Sequence, residues 1–81
     1  MSLIEQWAYT IGVDKPVNGS WLQAICEKLE VSYEGDAWQN IAQSKKIDVI
    51  EPVNGSWIQA IALKLNFTVP VNGSWLQAMA K

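Results

Sequence analysis

The chain has 81 residues, of which 49% are hydrophobic and 17% charged, and its net charge is −2. That is the make-up of a globular segment rather than a disordered one, and a chain of this size buries only about 60–65% of the surface its unfolded form exposes. Its basic residues are scattered Lys with only Lys45 and Lys46 adjacent, it has no His, and it has one Cys. Nucleic-acid binding, an internal disulfide and a Cys/His metal site are therefore not expected.

The first predicted element is a helix over 3–12. Ser2 stands at its N-cap, a position where Ser, Thr, Asp or Asn accepts a hydrogen bond from a backbone N–H of the first turn. Glu5 follows three residues later, completing the capping-box pattern. Gly12-Val13 reads as the stop signal, a glycine that leaves the helix followed by an apolar contact. No basic start or apolar run of a signal peptide precedes it, so export by that route is not expected. No apolar stretch is long enough to span a membrane.

The second element opens on the ten residues Pro16-Val17-Asn18-Gly19-Ser20-Trp21-Leu22-Gln23-Ala24-Ile25. The phrase returns at Pro52–Ile61 and at Pro70–Met79, with single exchanges at Ile58 and Met79. Internal repetition governs the reading of the whole chain. Proline ends one helix and keeps its predecessor extended. Asn-Gly tolerates positive φ and turns the chain. The apolar Val17 folds back on the helix as a displaced staple. Ser20 caps a helix over 21–30, and Gln23 is expected to reach back to the cap's own N–H.

The third element is a degenerate copy. Asp36 takes the cap position, Gly35 precedes it and Gln39 follows three later, giving a helix over 37–46. The fourth and fifth helices, over 57–66 and 75–81, carry the strong copies capped by Ser56 and Ser74, with Gln59 and Gln77. The caps Ser2, Ser20, Asp36, Ser56 and Ser74 are 18, 16, 20 and 18 residues apart. The domain reading is a single unit over 1–81 with repeats near 2–13, 16–31, 32–47, 52–67 and 70–81.

In this register the positions two, five, six and nine after the cap are apolar, one face of an α-helix. Five after the cap stand Trp7, Ile25, Ile41, Ile61 and Met79. Six after stand Ala8, Cys26, Ala42, Ala62 and Ala80, small in every copy and so the expected line of helix contact. Cys26 is thereby expected to be a buried, inert thiol. Nine after stand Ile11, Leu29, Lys45 and Leu65, where Lys45 is out of pattern. Each helix is too short to stand alone. The fold class is all-α: five short capped helices joined by extended Pro/Asn-Gly linkers, in a compact bundle or a small solenoid. Linker length permits parallel or antiparallel neighbours.

Acid–base, nucleophilic and metal-assisted chemistry lack their usual residues, so the chain is not read as an enzyme and no cofactor is expected. Glu30, Glu34 and Asp36 cluster near one linker and are read as a solvated face. The candidate partner-binding residues are Trp21, Trp57, Trp75, Asn18, Asn54 and Asn72. The Trp lies on the flank of the apolar face, either packed in the seam between neighbours or offered to a partner, since interface hot spots favour Trp. The Asn-Gly-Ser triplets match a glycosylation acceptor but are read as turn chemistry.

The Pro-Val-Asn-Gly-Ser-Trp-Leu-Gln-Ala-Ile phrase with a period near 18 resembles short tandem repeats of tailed-bacteriophage virion structural proteins. The resemblance covers the three strong copies, roughly half the chain. It implies a capsid, neck or tail module, located in the virion, whose partners are other virion proteins, with a homo-oligomer as a further option. The alternatives are a carbohydrate- or cell-surface-binding module using the Trp and Asn rows, and an intracellular or designed helical-repeat scaffold.

Overall fold

The computed structural model describes residues 1–80. It contains five α-helices, α1 Leu3–Thr10, α2 Trp21–Lys28, α3 Ala37–Ala42, α4 Trp57–Lys64 and α5 Trp75–Met79. Among the described residues there is no strand beyond three isolated bridges. The expected all-helical class holds, and all five helices start at the expected residue.

The starts follow from the caps. The Ser2, Ser20, Ser56 and Ser74 hydroxyls each accept from the backbone N–H three residues on, at 3.0–3.1 Å. The Asp36 carboxylate accepts from Trp38 and Gln39. Ser→Ala at a cap costs about 1 kcal/mol. Since α2 and α4 do not pack on each other, Ser20→Ala and Ser56→Ala are expected to add. Urea midpoints of the two single variants and the double variant check this.

The expected return bond from Gln to the cap is not made. In the three strong copies the Ser N–H already donates to a valine carbonyl: Ser20 to Val17, Ser56 to Val53 and Ser74 to Val71, at 2.8–2.9 Å. The Val N–H donates back to the Ser carbonyl at 3.1 Å. Asn18, Asn54 and Asn72 have φ near 50° and the following Gly has φ of 74–77°. Two consecutive left-handed residues closed by that reciprocal pair form a type I′ turn, the favoured Asn-Gly hairpin geometry. The linkers thus carry a two-residue hairpin rather than running extended throughout.

The helix ends differ from expectation. Each of α1, α2 and α4 stops two residues early because the tenth residue after the cap is left-handed: Gly12, Glu30 and Asn66, with φ of 94°, 59° and 74°. The next residue then donates to the carbonyl of the small residue six after the cap: Val13 to Ala8, Val31 to Cys26 and Phe67 to Ala62, at 2.8–3.0 Å. This is the Schellman arrangement, which satisfies carbonyls that a helix end would orphan. Helix α3 stops four residues early. There the left-handed residue is Asp48, and Val49 donates to Ala42 at 2.8 Å across two additional residues. Ile47, buried, fills the role of Leu29 and Leu65, and Lys45 is exposed. The expectation that Lys45 occupies the ninth position is corrected by this two-residue insertion. Helix α5 ends at Met79, and Lys81 lies outside the described residues.

The helices close into a ring. Each packs against two others only, in the cycle α1–α2–α3–α4–α5–α1. The last contact, α5 on α1, excludes an open solenoid, whose end repeats stay apart. The principal extents, 31 × 27 × 18 Å, are those of a thick disc. Two contacts fix direction. Lys28, in the last turn of α2, lies 3.6 Å from the point where a Cβ on Gly12, just past α1, would stand. Tyr33, three residues before the cap of α3, reaches the cap of α2 with its Oη 3.3 Å from Ser20 Oγ. Helices α1, α2 and α3 therefore run parallel, each linker carrying the chain back to the starting end.

One cluster of buried side chains draws on all five helices. Trp7, Ile25, Ile41, Ile61 and Met79 are at most 2% exposed, as are Ala8, Cys26, Ala42 and Ala62. The rings of Trp7 and Trp38 stack at 5.6 Å although α1 and α3 are not neighbours, so the half-buried Trp38 reaches across to the buried Trp7. Burial pushes the Cys26 thiol above its ordinary value, because a thiolate there would be desolvated. The fold therefore favours the thiol. That contribution is complete below the unfolded pKa and is lost as pH rises through the folded one. Cys26→Ala is expected to lose less stability than the parent between pH 8 and 10, and the native thiol to react with a disulfide reagent only at the rate of opening. Urea midpoints across that range and thiol-exchange kinetics measure both.

Candidate functional site

The structure divides the six candidate residues into three equal pairs rather than gathering them. Asn18 with Trp21, Asn54 with Trp57 and Asn72 with Trp75 each stand at the N-terminus of their own helix, α2, α4 and α5. In each pair the asparagine sits exposed on the type I′ turn and the tryptophan, first residue of the helix, is half-buried against the core. Space above Gly19, Gly55 and Gly73 is open, with no heavy atom within 4 Å of a hypothetical Cβ. Glycine is needed there for φ alone, and the turn surface is unobstructed.

Trp21 shows how the flank position is used. Its ring meets Tyr9 of α1 edge-on, with centroids 5.4 Å apart and planes at 62°, a geometry aromatic pairs prefer. The Tyr9 hydroxyl in turn donates to Glu5 at 3.3 Å, and its pKa is raised, first by desolvation and then by the Glu5 carboxylate. The indole thus lies in the seam between α1 and α2 while keeping one side open. Trp57 and Trp75 hold the same helical position. In the remaining two helices that position is Ala37, which is buried, and Leu3.

The glutamines of the three strong copies are also left available. Gln23, Gln59 and Gln77 are half-buried, and the valine carbonyl has taken over the cap bond their side chains were expected to accept. Each strong copy therefore carries an exposed asparagine, an indole flank and a half-buried glutamine, the last two separated around the helix because residues two apart do not face each other. Helix α2 does not adjoin α4 or α5, so these groups do not line one common cleft.

The second linker departs from the others. It is two residues shorter and has no Asn-Gly turn. Ser32 Oγ accepts from the Glu34 N–H at 3.1 Å, and Asn40 Nδ2 donates to the Ser32 and Glu34 carbonyls at 2.8 Å each. Glu34 and Asp36 are thus absorbed into turn and cap structure. Among the described residues no group of three His, Cys, Asp or Glu side chains is placed to hold a metal ion.

A feature that residue spacing did not reveal is a cavity of about 460 Å³ between the ends of α2 and α3. Its walls include Lys28, Glu30, Ser44, Lys45 and Lys46. The adjacent Lys45 and Lys46, exposed in the loop lengthened after α3, were the visible signal.

No family model, curated protein or solved structure matches the chain. No helix among the described residues is long and apolar enough to cross a membrane.

Proposed function

We propose that the chain is a non-enzymatic structural module that binds other proteins through its rim, built as five variants of one unit of about 18 residues, and that it serves as a small component of a phage particle. The observation that carries the binding reading is the threefold display of one rigid element: an exposed type I′ turn beside a half-buried tryptophan. A turn fixed by its own hydrogen bonds and an indole fixed by the core lose little freedom on binding, and Trp is enriched where interface energy concentrates. The virion assignment rests on the resemblance of the repeated phrase. The partners in this reading are other virion subunits.

Mass spectrometry of purified particles from the phage that encodes the chain tests it. A fixed copy number per particle supports the assignment, and absence from the particles refutes it. Within a particle or a reconstituted complex, Trp57→Ala is expected to weaken partner binding by about 2 kcal/mol or more. Binding unchanged from the parent in all three of the Trp21→Ala, Trp57→Ala and Trp75→Ala variants would remove the rim from consideration.

A second reading is favoured by the glutamine amides that folding leaves available. With the indole and asparagine of the same copy they supply the stacking and hydrogen-bonding groups that a sugar takes. A blue shift of tryptophan emission on adding a glycan panel, abolished by Gln→Ala at the three copies, supports it. Unchanged emission across the panel rejects it.

A further inference from the structure

We propose that Asn18, Asn54 and Asn72 are latent deamidation sites, held shut by the folded turn and released when it opens, and that Asn72 is modified first. In this reaction the nitrogen of the following glycine attacks the asparagine Cγ. The new C–N bond closes a succinimide ring, and the side-chain nitrogen leaves as ammonia with the glycine N–H proton. Water then opens the ring at either carbonyl, giving aspartate or isoaspartate. One water is consumed and one ammonia released at each site.

Both reacting groups lie at the surface. The three asparagines and the glycines that follow them are exposed. No heavy atom stands within 4 Å of a Cβ built on Gly19, Gly55 or Gly73, so water reaches each turn. The reciprocal bonds that close the turns join valine to serine and engage neither the asparagine side chain nor the glycine N–H.

What the fold withholds is alignment. At the first central position of a type I′ turn ψ is about +30°, which sets the asparagine Cβ and the glycine nitrogen on nearly opposite sides of the Cα–C bond. A five-membered ring needs them on the same side. Rotating the glycine nitrogen into place breaks the Val–Ser pair, whose bonds are 2.8–3.1 Å long. Deamidation therefore passes through the open turn, and its rate reports the opening equilibrium.

The three copies share Pro-Val-Asn-Gly-Ser-Trp without exchange, so their unfolded reactivity is the same and the fold alone separates them. Helix α5 has five residues against eight in α2 and α4, and the far ends of α2 and α4 are closed by the Val31 and Phe67 bonds. The turn before α5 is thus the least held. Asn66 is also left-handed, with φ of 74°, but the next nitrogen, that of Phe67, donates to the Ala62 carbonyl at 2.9 Å. It is expected to stay intact. Aspartate adds a charge to the rim, whereas isoaspartate puts an extra carbon into the main chain, which the two-residue hairpin does not accommodate.

The test is incubation of the full chain in mildly alkaline buffer, with and without guanidinium, followed by digestion and mass spectrometry. Cleavage after Lys28, Lys46 and Lys64 puts each copy on its own peptide. In guanidinium the three asparagines are expected to convert at equal rates. In the folded chain all three are expected to slow by about tenfold or more, with Asn72 ahead of Asn18 and Asn54. Ser74→Ala is expected to speed Asn72 about fivefold relative to the same variant in guanidinium, and to leave Asn18 unchanged, since α5 does not pack on α2. Melting curves confirm that the variant is folded. Folded rates equal to the unfolded ones would overturn the gating. Asn72 converting no faster than Asn18 and Asn54, or Asn66 keeping pace with it, would overturn the order the fold imposes.

Discussion

Trp7→Ala is expected to remove a large part of the stability of this protein, about 3–5 kcal/mol. Trp7 is 2% exposed and occupies the inward position that Ile25, Ile41, Ile61 and Met79 hold in the other helices. It also stacks on Trp38 across the ring. Truncating a buried Trp costs about 3–5 kcal/mol, the lost transfer energy plus the cavity left behind. A domain of this length has a total stability of about 4–12 kcal/mol, so the variant approaches the unfolding threshold. Guanidinium unfolding followed by far-UV circular dichroism measures the loss. A cost under about 1 kcal/mol would mean that Trp7 does not fill the centre. Trp7→Phe keeps an aromatic at the site and is expected to lose less, while abolishing the near-ultraviolet signal of the Trp7–Trp38 pair. Trp75→Ala, at a half-buried flank, is expected to cost less than Trp7→Ala.

The second large effect is removal of α5. In an open solenoid, deleting the end repeat breaks one interface and leaves the rest standing, because each unit contacts only its neighbours. Here α5 contacts both α4 and α1, so a chain ending at Val69 loses two interfaces and opens the ring. The buried side chains of α1 and α4 that pack against α5 become exposed together. The truncated chain is expected to lose cooperative unfolding altogether and to bind a hydrophobic dye. A truncated chain that unfolds with a sharp transition and a proportionately smaller denaturant slope would show that closure contributes little. Because α1 lies beside α5, the same geometry predicts that joining the termini through a flexible linker raises the midpoint.

The two variants probe different links. Trp7 tests whether the core is one body, and α5 tests whether the ring needs to be closed.

Local signals were enough to locate every helix start. Ser2, Ser20, Asp36, Ser56 and Ser74 cap as their side-chain chemistry requires, because a cap is satisfied within three residues. Asn-Gly turned the chain for the same reason: positive φ at two successive residues is a local property. The apolar offsets also identified the buried face, since helical periodicity decides which side chains share a side.

Helix ends were less legible. Gly12 announced its own stop, but nothing about the side chain of Glu30 favours left-handed backbone. Its equivalence to Gly12 and Asn66 emerges only in the structure, where the bond from Val31 to Cys26 holds it. The insertion after α3 was visible as a 20-residue spacing with Lys45 in an apolar slot, yet where the two residues sit depends on Ile47 reaching the core. The expected glutamine bonds failed because a hairpin partner, Val17, Val53 or Val71, reached the cap N–H first.

The sequence by itself determined the caps, the turns and the inward face of each helix, all of which depend on neighbours a few residues away. Tertiary structure alone decided that α5 closes on α1, that α1, α2 and α3 run parallel, that Trp38 meets Trp7, and that a cavity opens between the ends of α2 and α3. Linkers of eight to fourteen residues reach either end of such short helices, so local chemistry leaves direction and closure open. They are settled by which arrangement buries all five apolar faces at once.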